Sequence, residues 1–565
     1  MSDQYQRSAD HFPHAPAHDD KPYPPYYYLW HLCVLGVLRA ERVDGSPCPE
    51  IVGTLWDDLD ADRGSDAHHA TTISMIDVGV GHNHPNLVQV DMDRSIDLVT
   101  HRYGARRRPV VADGDLHPEE RLAFFEKLSI EGLDLRPFSM DEQAALTSFV
   151  DDLRESKGVV RMTETLDAAL PSHGTAVAGL AVGDPGLVFM EDGRIVEPVS
   201  LQDFVKQRPK GRSLSIRDNV VPYVGVDPFS KLVPIKTSFD ADPRPLIAAL
   251  LYAYQIGSDV ILLPRDIPDP TRGILPVKEE LSSQKPEIDS ASEATSRDES
   301  AARRDWTILE KLLIAVSKEI PIVCAAGNSG ESQLIYPAYL AGEKEPDGKE
   351  SNGIIAVGAV NALGRRAGYS NYGRGLTVVA PSNDGEIYNR HQARIDWGNP
   401  ATKLHQYGLG SHQEIPYSYY TIATTDLPGA WGYADGSVPY VANLSPENNP
   451  GFAGGYYTGF GGTSAAAGLT AGVVALMNRA HKAYARPDAR LTGIEAKTIL
   501  MDAANLRPGR FQSQGGGEAP GSEFKPDPMN SEAEAEGDAS VFFFFGAGLV
   551  DAAQAIEKVK PSGKA

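Results

Sequence analysis

Cysteine is nearly absent from this 565-residue chain, with only Cys33, Cys48 and Cys324. An odd and sparse set builds no disulfide framework. No CxxC pair exists, which argues against a structural zinc site. Long apolar runs are also lacking. The first apolar stretch, residues 28–38, starts too late for a signal peptide and is too short to span a bilayer, so no membrane partner and a cytoplasmic location are expected. Positive charge is in deficit: 53 Lys and Arg stand against 76 Asp and Glu, for a net charge of −23. A surface of that sign repels phosphate backbones, which argues against nucleic acid as a partner. Two basic runs depart from the average, one at Arg106, Arg107 and Arg108, the other from Lys206 through Arg208 and Lys210 to Arg212. Such runs are usually solvated loops. No internal repeat is present.

What is present is an alternation. From Thr71 onward, short β-branched runs alternate with longer helical patterns, which predicts an α/β fold with a mainly parallel central sheet and crossover helices. The expected strands are 72–76, 221–224, 232–235, 260–263, 321–325, 354–357 and 376–379; their continuous apolar character suits strands buried on both faces. The expected helices are 174–182, 245–256, 305–319, 464–484 and 493–504. Residues 1–68 read as an N-terminal extension, 69–560 as one domain and 561–565 as a tail. Insertions fall near 103–165 (charged, partly helical), 184–218, 267–302, 384–457 and 507–540; the third and fifth have the composition of surface or disordered loops.

Four segments carry chemistry. In Gly461-Gly462-Thr463-Ser464-Ala465-Ala466-Ala467-Gly468, a serine stands at the first turn of an apolar helix behind small residues. There a hydroxyl is approachable, and unpaired helix N–H groups and the dipole favour an oxyanion. Alone, Thr463 or Ser464 is equally an N-cap. In Ser172-His173-Gly174-Thr175-Ala176-Val177-Ala178-Gly179, His173 is a candidate general base, or simply a surface histidine before a helix. Asp77 follows the strand Ile73-Ser74-Met75-Ile76, where α/β proteins place their sites and where a carboxylate can orient an imidazole; alone it reads as a turn Asp. Asn328, in Ala325-Ala326-Gly327-Asn328-Ser329-Gly330, can donate its amide N–H to an oxyanion or merely make a turn.

Taken together, in the order Asp, His, Ser, these segments resemble the subtilisin-like serine peptidases, or subtilases. Ile76-Asp77-Val78-Gly79, His173-Gly174-Thr175, Gly462-Thr463-Ser464 and Ala326-Gly327-Asn328 match the family's Asp, His, Ser and oxyanion motifs. Val224-Gly225-Val226-Asp227-Pro228, Tyr336-Pro337-Ala338 and Gly546-Ala547-Gly548-Leu549-Val550-Asp551 resemble flanking and closing stretches, and the phenylalanine run 542–545 reads as a buried strand. The resemblance implies a subtilisin-like three-layer fold and a serine endopeptidase acting on polypeptide through an acyl-enzyme. It gives Asp77, His173 and Ser464 the triad roles and Asn328 the oxyanion role. It implies no cofactor for the chemistry. It also raises structural calcium, for which no loop shows a ligand spacing. Departures are Val78 after the Asp, Gly468 and Leu469 after the Ser motif, and Leu263-Pro264-Arg265-Asp266 where the family has a substrate-pairing edge strand. Pro264 removes one N–H there, and Arg265 or Asp266 would make a charged subsite. Thr424-Thr425-Asp426-Leu427 resembles the kexin and furin branch, which cuts after basic residues. The alternative is a subtilase-fold binding or scaffold module without activity. Protein partners, oligomeric state and physiological substrate are not legible.

Overall fold

Thr72–Asp77 and Val260–Leu263 are short aliphatic runs with almost no exposed side chain, as strands covered on both faces must be. A computed structural model describes residues 29–41, 50–64, 69–98 (except 82, 83 and 85), 128–155, 171–184, 188–189, 195–196, 223–237, 242–267, 292–344, 348, 350–383 (except 362, 363 and 365), 422–426, 457–506 and 538–561. Cys48, both basic runs and most of the insertions 184–218, 267–302, 384–457 and 507–540 lie outside the described residues.

The N-terminal part holds α1 (Trp30–Val34), the antiparallel pair β1 (Leu38–Glu41) and β2 (Glu50–Thr54), and α2 (Leu55–Arg63). The core then runs through β3 (Thr72–Asp77), β4 (Ile96–Asp97), α3 (Met140–Glu155), α4 (Pro171–Val182), the small pair β5 (Val188–Phe189) and β6 (Ile195–Val196), β7 (Lys231–Lys236), α5 (Pro243–Gln255), β8 (Val260–Leu263), α6 (Ser292–Glu319) and β9 (Ile322–Ala325). It closes with β10 (Ile354–Val360), β11 (Val378–Pro381), the antiparallel pair β12 (Ile422–Thr425) and β13 (Tyr457–Phe460), α7 (Gly462–Tyr484), α8 (Gly493–Ala503), α9 (Asp538–Phe545) and α10 (Ala552–Val559).

Seven strands form one parallel sheet in the order β11-β10-β9-β8-β3-β7-β4. From β3 the chain runs to the edge strand β4 and comes back through α4 to β7; it then passes β3, through α5 to β8 and α6 to β9. Helix α4 belongs to one helical layer, and α5 and α6, which pack on each other, form the other. The long helix α7 packs along α4 and across β8 to β11, completing the first layer, while α3 packs on α6 in the second. This is an α/β subtilisin-like architecture. Connections leave β3 and β8 in opposite directions, which opens a crevice at their carboxyl ends, the usual ligand position in such sheets.

The described part of the N-terminal extension shares this core. Leu29, Leu32 and Leu35 are fully buried, Trp56 Nε1 donates to the Val226 carbonyl at 2.9 Å, and Ala552 N–H donates to the Leu35 carbonyl at 2.9 Å. No described helix is long and apolar enough to cross a membrane.

Three elements differ from expectation. The phenylalanine run is helical, ending α9, with Phe544 and Phe545 buried and Phe542 exposed. The strand-like pairing comes after it, where Val550 N–H donates to Val379 and Val379 N–H to Gly548. Tyr223 and Val224 are in no strand; the next residues, Gly225 and Val226, bond back to Gly183 and Leu180 at the end of the His173 helix. Helix α6 begins at Ser292 rather than 305, because the polar segment before Asp305 is rich in Ala, Glu and Arg, all good helix formers.

Candidate active site

Asp77 is the last residue of β3 and is 1% exposed. Its Oδ1 accepts from Val78 N–H at 2.8 Å, and its Oδ2 lies 2.7 Å from Nδ1 of His173. His173 stands in the first turn of α4 with its side chain 20% exposed, so one edge of the ring is buried on a carboxylate while a small part reaches solvent. The approach is close because the next residue is glycine: a Cβ on Gly174 would sit 2.0 Å from the Gly79 carbonyl oxygen. Thr175 pins the same loop by accepting from Gly81 N–H at 2.8 Å. Phe460 meets the imidazole edge-on, at 5.7 Å between ring centroids.

Ser464 is the third residue of α7, and Gly461 before the helix offers no side-chain cap. The first N–H groups of the helix therefore look outward or to other segments. Asn328 supplies one such partner. Its Oδ1 accepts from Thr463 N–H at 2.8 Å and lies 3.0 Å from Thr463 Oγ1, which also accepts from Gly327 N–H at 3.1 Å. With Oδ1 so used, Nδ2 is the donor left for a ligand; among the described residues none accepts from it. The Ser464 hydroxyl donates to the Pro264 carbonyl at 2.6 Å, just past the end of β8.

The sequence-derived candidates thus meet in pairs at the carboxyl ends of β3, β8 and β9: Asp77 with His173, Asn328 with the turn before Ser464, and Ser464 with Pro264. Pro264 and Arg265 are buried, whereas Asp266 is exposed. Thr424 and Thr425 lie behind the histidine, their hydroxyls donating to the Ala176 and Thr175 carbonyls at 2.6 and 2.8 Å. Cys324 is fully buried on β9, and burial pushes its thiol above the ordinary range, so it is a neutral core residue. Residues that sequence reading missed are Thr463 as the link between Gly327 and Asn328, Phe460 against the imidazole, and Tyr369, Asn371, Ser382 and Asn383 behind the loops. Only Thr463 had a signal, its place inside the serine motif. Among the described residues no three His, Cys, Asp or Glu side chains gather as a metal site.

Several known proteins share parts of this chain. It is 27% identical over 338 residues to a calcium-dependent protease of Nostoc sp., covering 60% of this chain and 38% of that protein. It is 37% identical over 75 residues to subtilisin BL of Lederbergia lenta, covering 13% of this chain and 24% of that protein. The chain thus spans less than two-fifths of the length of these curated relatives. Among solved structures, a lanthipeptide protease covers 94% of this chain, with 95% of its own length, at 13% identity and a TM-score of 0.43. The sequence pattern of the subtilase family matches residues 68–548, most of the chain, and the chain belongs to that family.

Proposed function

We propose that this chain hydrolyses peptide bonds within polypeptide substrates through an acyl-enzyme on Ser464. The observation that carries the reading is the buried Asp77 carboxylate 2.7 Å from His173 Nδ1, at the crevice where the serine helix begins. A carboxylate there fixes Nδ1 as the protonated nitrogen and leaves Nε2 as the base. On substrate binding, the Ser464 hydroxyl rotates away from Pro264 toward His173, a tightening common between free and substrate-bound sites. As Oγ bonds to the scissile carbonyl carbon, its proton passes to Nε2, and Asp77 stays ionised beside the imidazolium. The carbonyl oxygen becomes an oxyanion held by Asn328 Nδ2 and the Ser464 N–H. Collapse expels the amine, which takes the proton from His173. Water, deprotonated by the same imidazole, then releases the acid product and restores Ser464.

We assign residues 264–266 to the substrate edge. Pro264 offers a carbonyl but no N–H, so a substrate strand pairs there by donating only. Asp266, exposed beside it, gives that edge a negative group.

Digestion of a peptide library tests the reading. The wild type is expected to cleave it and Ser464→Ala to leave it intact, with both proteins giving the same thermal unfolding. Cleavage by both makes Ser464 irrelevant, and cleavage by neither favours the scaffold alternative.

A further inference from the structure

The proposed oxyanion donors sit on two segments that come from distant parts of the chain. Asn328 rides on the loop 327–330 after β9, and the Ser464 N–H on the turn 461–463 that opens α7. Neither element by itself sets the distance between them. Between the two runs a third segment, residues 369–371, that carries none of the chemistry.

On one side this segment is laced to the Asn328 loop. Gly330 N–H donates to the Tyr369 carbonyl at 2.7 Å, Asn371 N–H to the Gly327 carbonyl at 3.0 Å, and Tyr372 N–H to the Glu331 carbonyl at 3.0 Å. The Asn371 side chain finishes the lacing: its Oδ1 accepts from Ser329 N–H at 2.9 Å and Glu331 N–H at 3.2 Å, and its Nδ2 donates to the Gln333 carbonyl at 2.9 Å. On the other side the Tyr369 side chain reaches the serine turn. Its hydroxyl accepts from Gly462 N–H at 3.0 Å and lies 2.7 Å from Ser382 Oγ and 2.9 Å from Asn383 Oδ1. Ser382 Oγ in turn donates to the Gly462 carbonyl at 2.9 Å. Both peptide groups flanking Gly462 are thereby held. Tyr369 and Asn371 are both fully buried.

We infer that Tyr369 and Asn371 are positioning residues that together set the spacing between Asn328 Nδ2 and the Ser464 N–H, Tyr369 from the serine side and Asn371 from the asparagine side. This rests on the acyl-transfer reading above. The physical reason is tolerance. Oxyanion donors act at about 2.7–3.1 Å, and a misplacement of about 1 Å costs on the order of a hundredfold in rate. Two donors on separate segments hold such a tolerance only if something ties the segments together. Thr463 does so in front, through Asn328 Oδ1, and residues 369–371 do so from behind.

The test is a kinetic cycle with kcat counted per site titrated by a fluorophosphonate. Tyr369→Phe removes one oxygen, and Asn371→Ala removes the lacing to Ser329, Glu331 and Gln333. Each is expected to lower kcat per titrated site by about tenfold or more, with KM within about twofold, because the lost geometry matters only once the oxyanion forms. A purely structural role would lower the fraction of titratable protein and leave the per-site rate alone. Asn371→Asp, which keeps the two accepted bonds but loses the donor to the Gln333 carbonyl, is expected to recover only part of the rate. In an Asn328→Ala background, Asn371→Ala should add little, since the donor it positions is gone, while Tyr369→Phe should still cost its full factor. Wild-type per-site kcat in both single variants overturns the inference, as does an equal loss from Asn371→Ala with and without Asn328. Should Asn371→Ala not fold, Tyr369→Phe alone decides. A wild type that neither labels nor cleaves sinks the acyl-transfer reading and the inference with it; a labelled, active wild type with unaffected variants sinks the inference alone.

Discussion

Asn328 divides its labour between two atoms. Oδ1 takes the hydrogen bonds from Thr463 and so fixes which way the amide faces, which leaves Nδ2 as the donor proposed for the oxyanion. Asn328→Ala removes both. Loss of one oxyanion donor generally lowers turnover by about a hundredfold to a thousandfold, and that span is expected here with little change in KM. Steady-state kinetics on one peptide checks it; an unchanged kcat would leave Asn328 as a turn residue. Asp77, His173, Asn328 and Ser464 stood out as candidates in the sequence, because each lies in a short local text whose glycines and small residues announce a strand end or a helix start. Tyr369 and Asn371 were not. Their partners lie 93 and 42 residues away, and nothing in the text Gly368-Tyr369-Ser370-Asn371-Tyr372-Gly373 distinguishes a brace from an ordinary turn.

Among the elements, helix α4 depends on how closely it approaches the loop after β3. A methyl at Gly174 would meet the Gly79 carbonyl at 2.0 Å and come within 3.3 Å of Asp77 Oδ2. Backbone cannot yield as a flexible side chain would, so Gly174→Ala is expected to push the first turn of α4 off the loop. Overpacking of this kind costs about 1–3 kcal/mol in stability. Turnover should fall with it, because the His173–Asp77 hydrogen bond is made in that turn. Urea denaturation and peptide turnover measure the two effects; wild-type values for both would mean the loop gives way freely. Most sheet strands were legible from their continuous apolar runs. The phenylalanine run misled for the same reason: four apolar residues in a row fit a buried strand or a buried helix, and periodicity over so short a run cannot choose. The choice was made by the chain after it, where Gly546 at φ +57° turns into the pairing with Val379.

At the scale of the whole molecule, the described part of the N-terminal extension is built into the fold, and it brings a pH dependence. His31 on α1 is fully buried, with no hydrogen-bond partner for either ring nitrogen among the described residues, and burial lowers its pKa from 6.5 to about 3. Between those two values the unfolded chain binds a proton that the folded chain does not, so stability rises with pH across that window and His31 contributes no slope above it. At pH 5 the penalty is about 2 kcal/mol, from 1.36 kcal/mol per pH unit below the unfolded value. His31→Leu should therefore lose about that much less stability than the wild type between pH 7 and pH 5, as read from urea denaturation at both. Equal losses would mean that His31 finds a partner when protonated.

Covalent capture of the Ser464 side chain addresses most directly its proposed activation by His173 and Asp77. Intact-mass measurement after treatment with a fluorophosphonate, followed by peptide mapping, should show one adduct, on Ser464. The adduct should be missing from Ser464→Ala and much slower to form in Asp77→Asn. An adduct at another residue, or labelling of Ser464 at an undiminished rate when Asp77 is changed, would contradict the account.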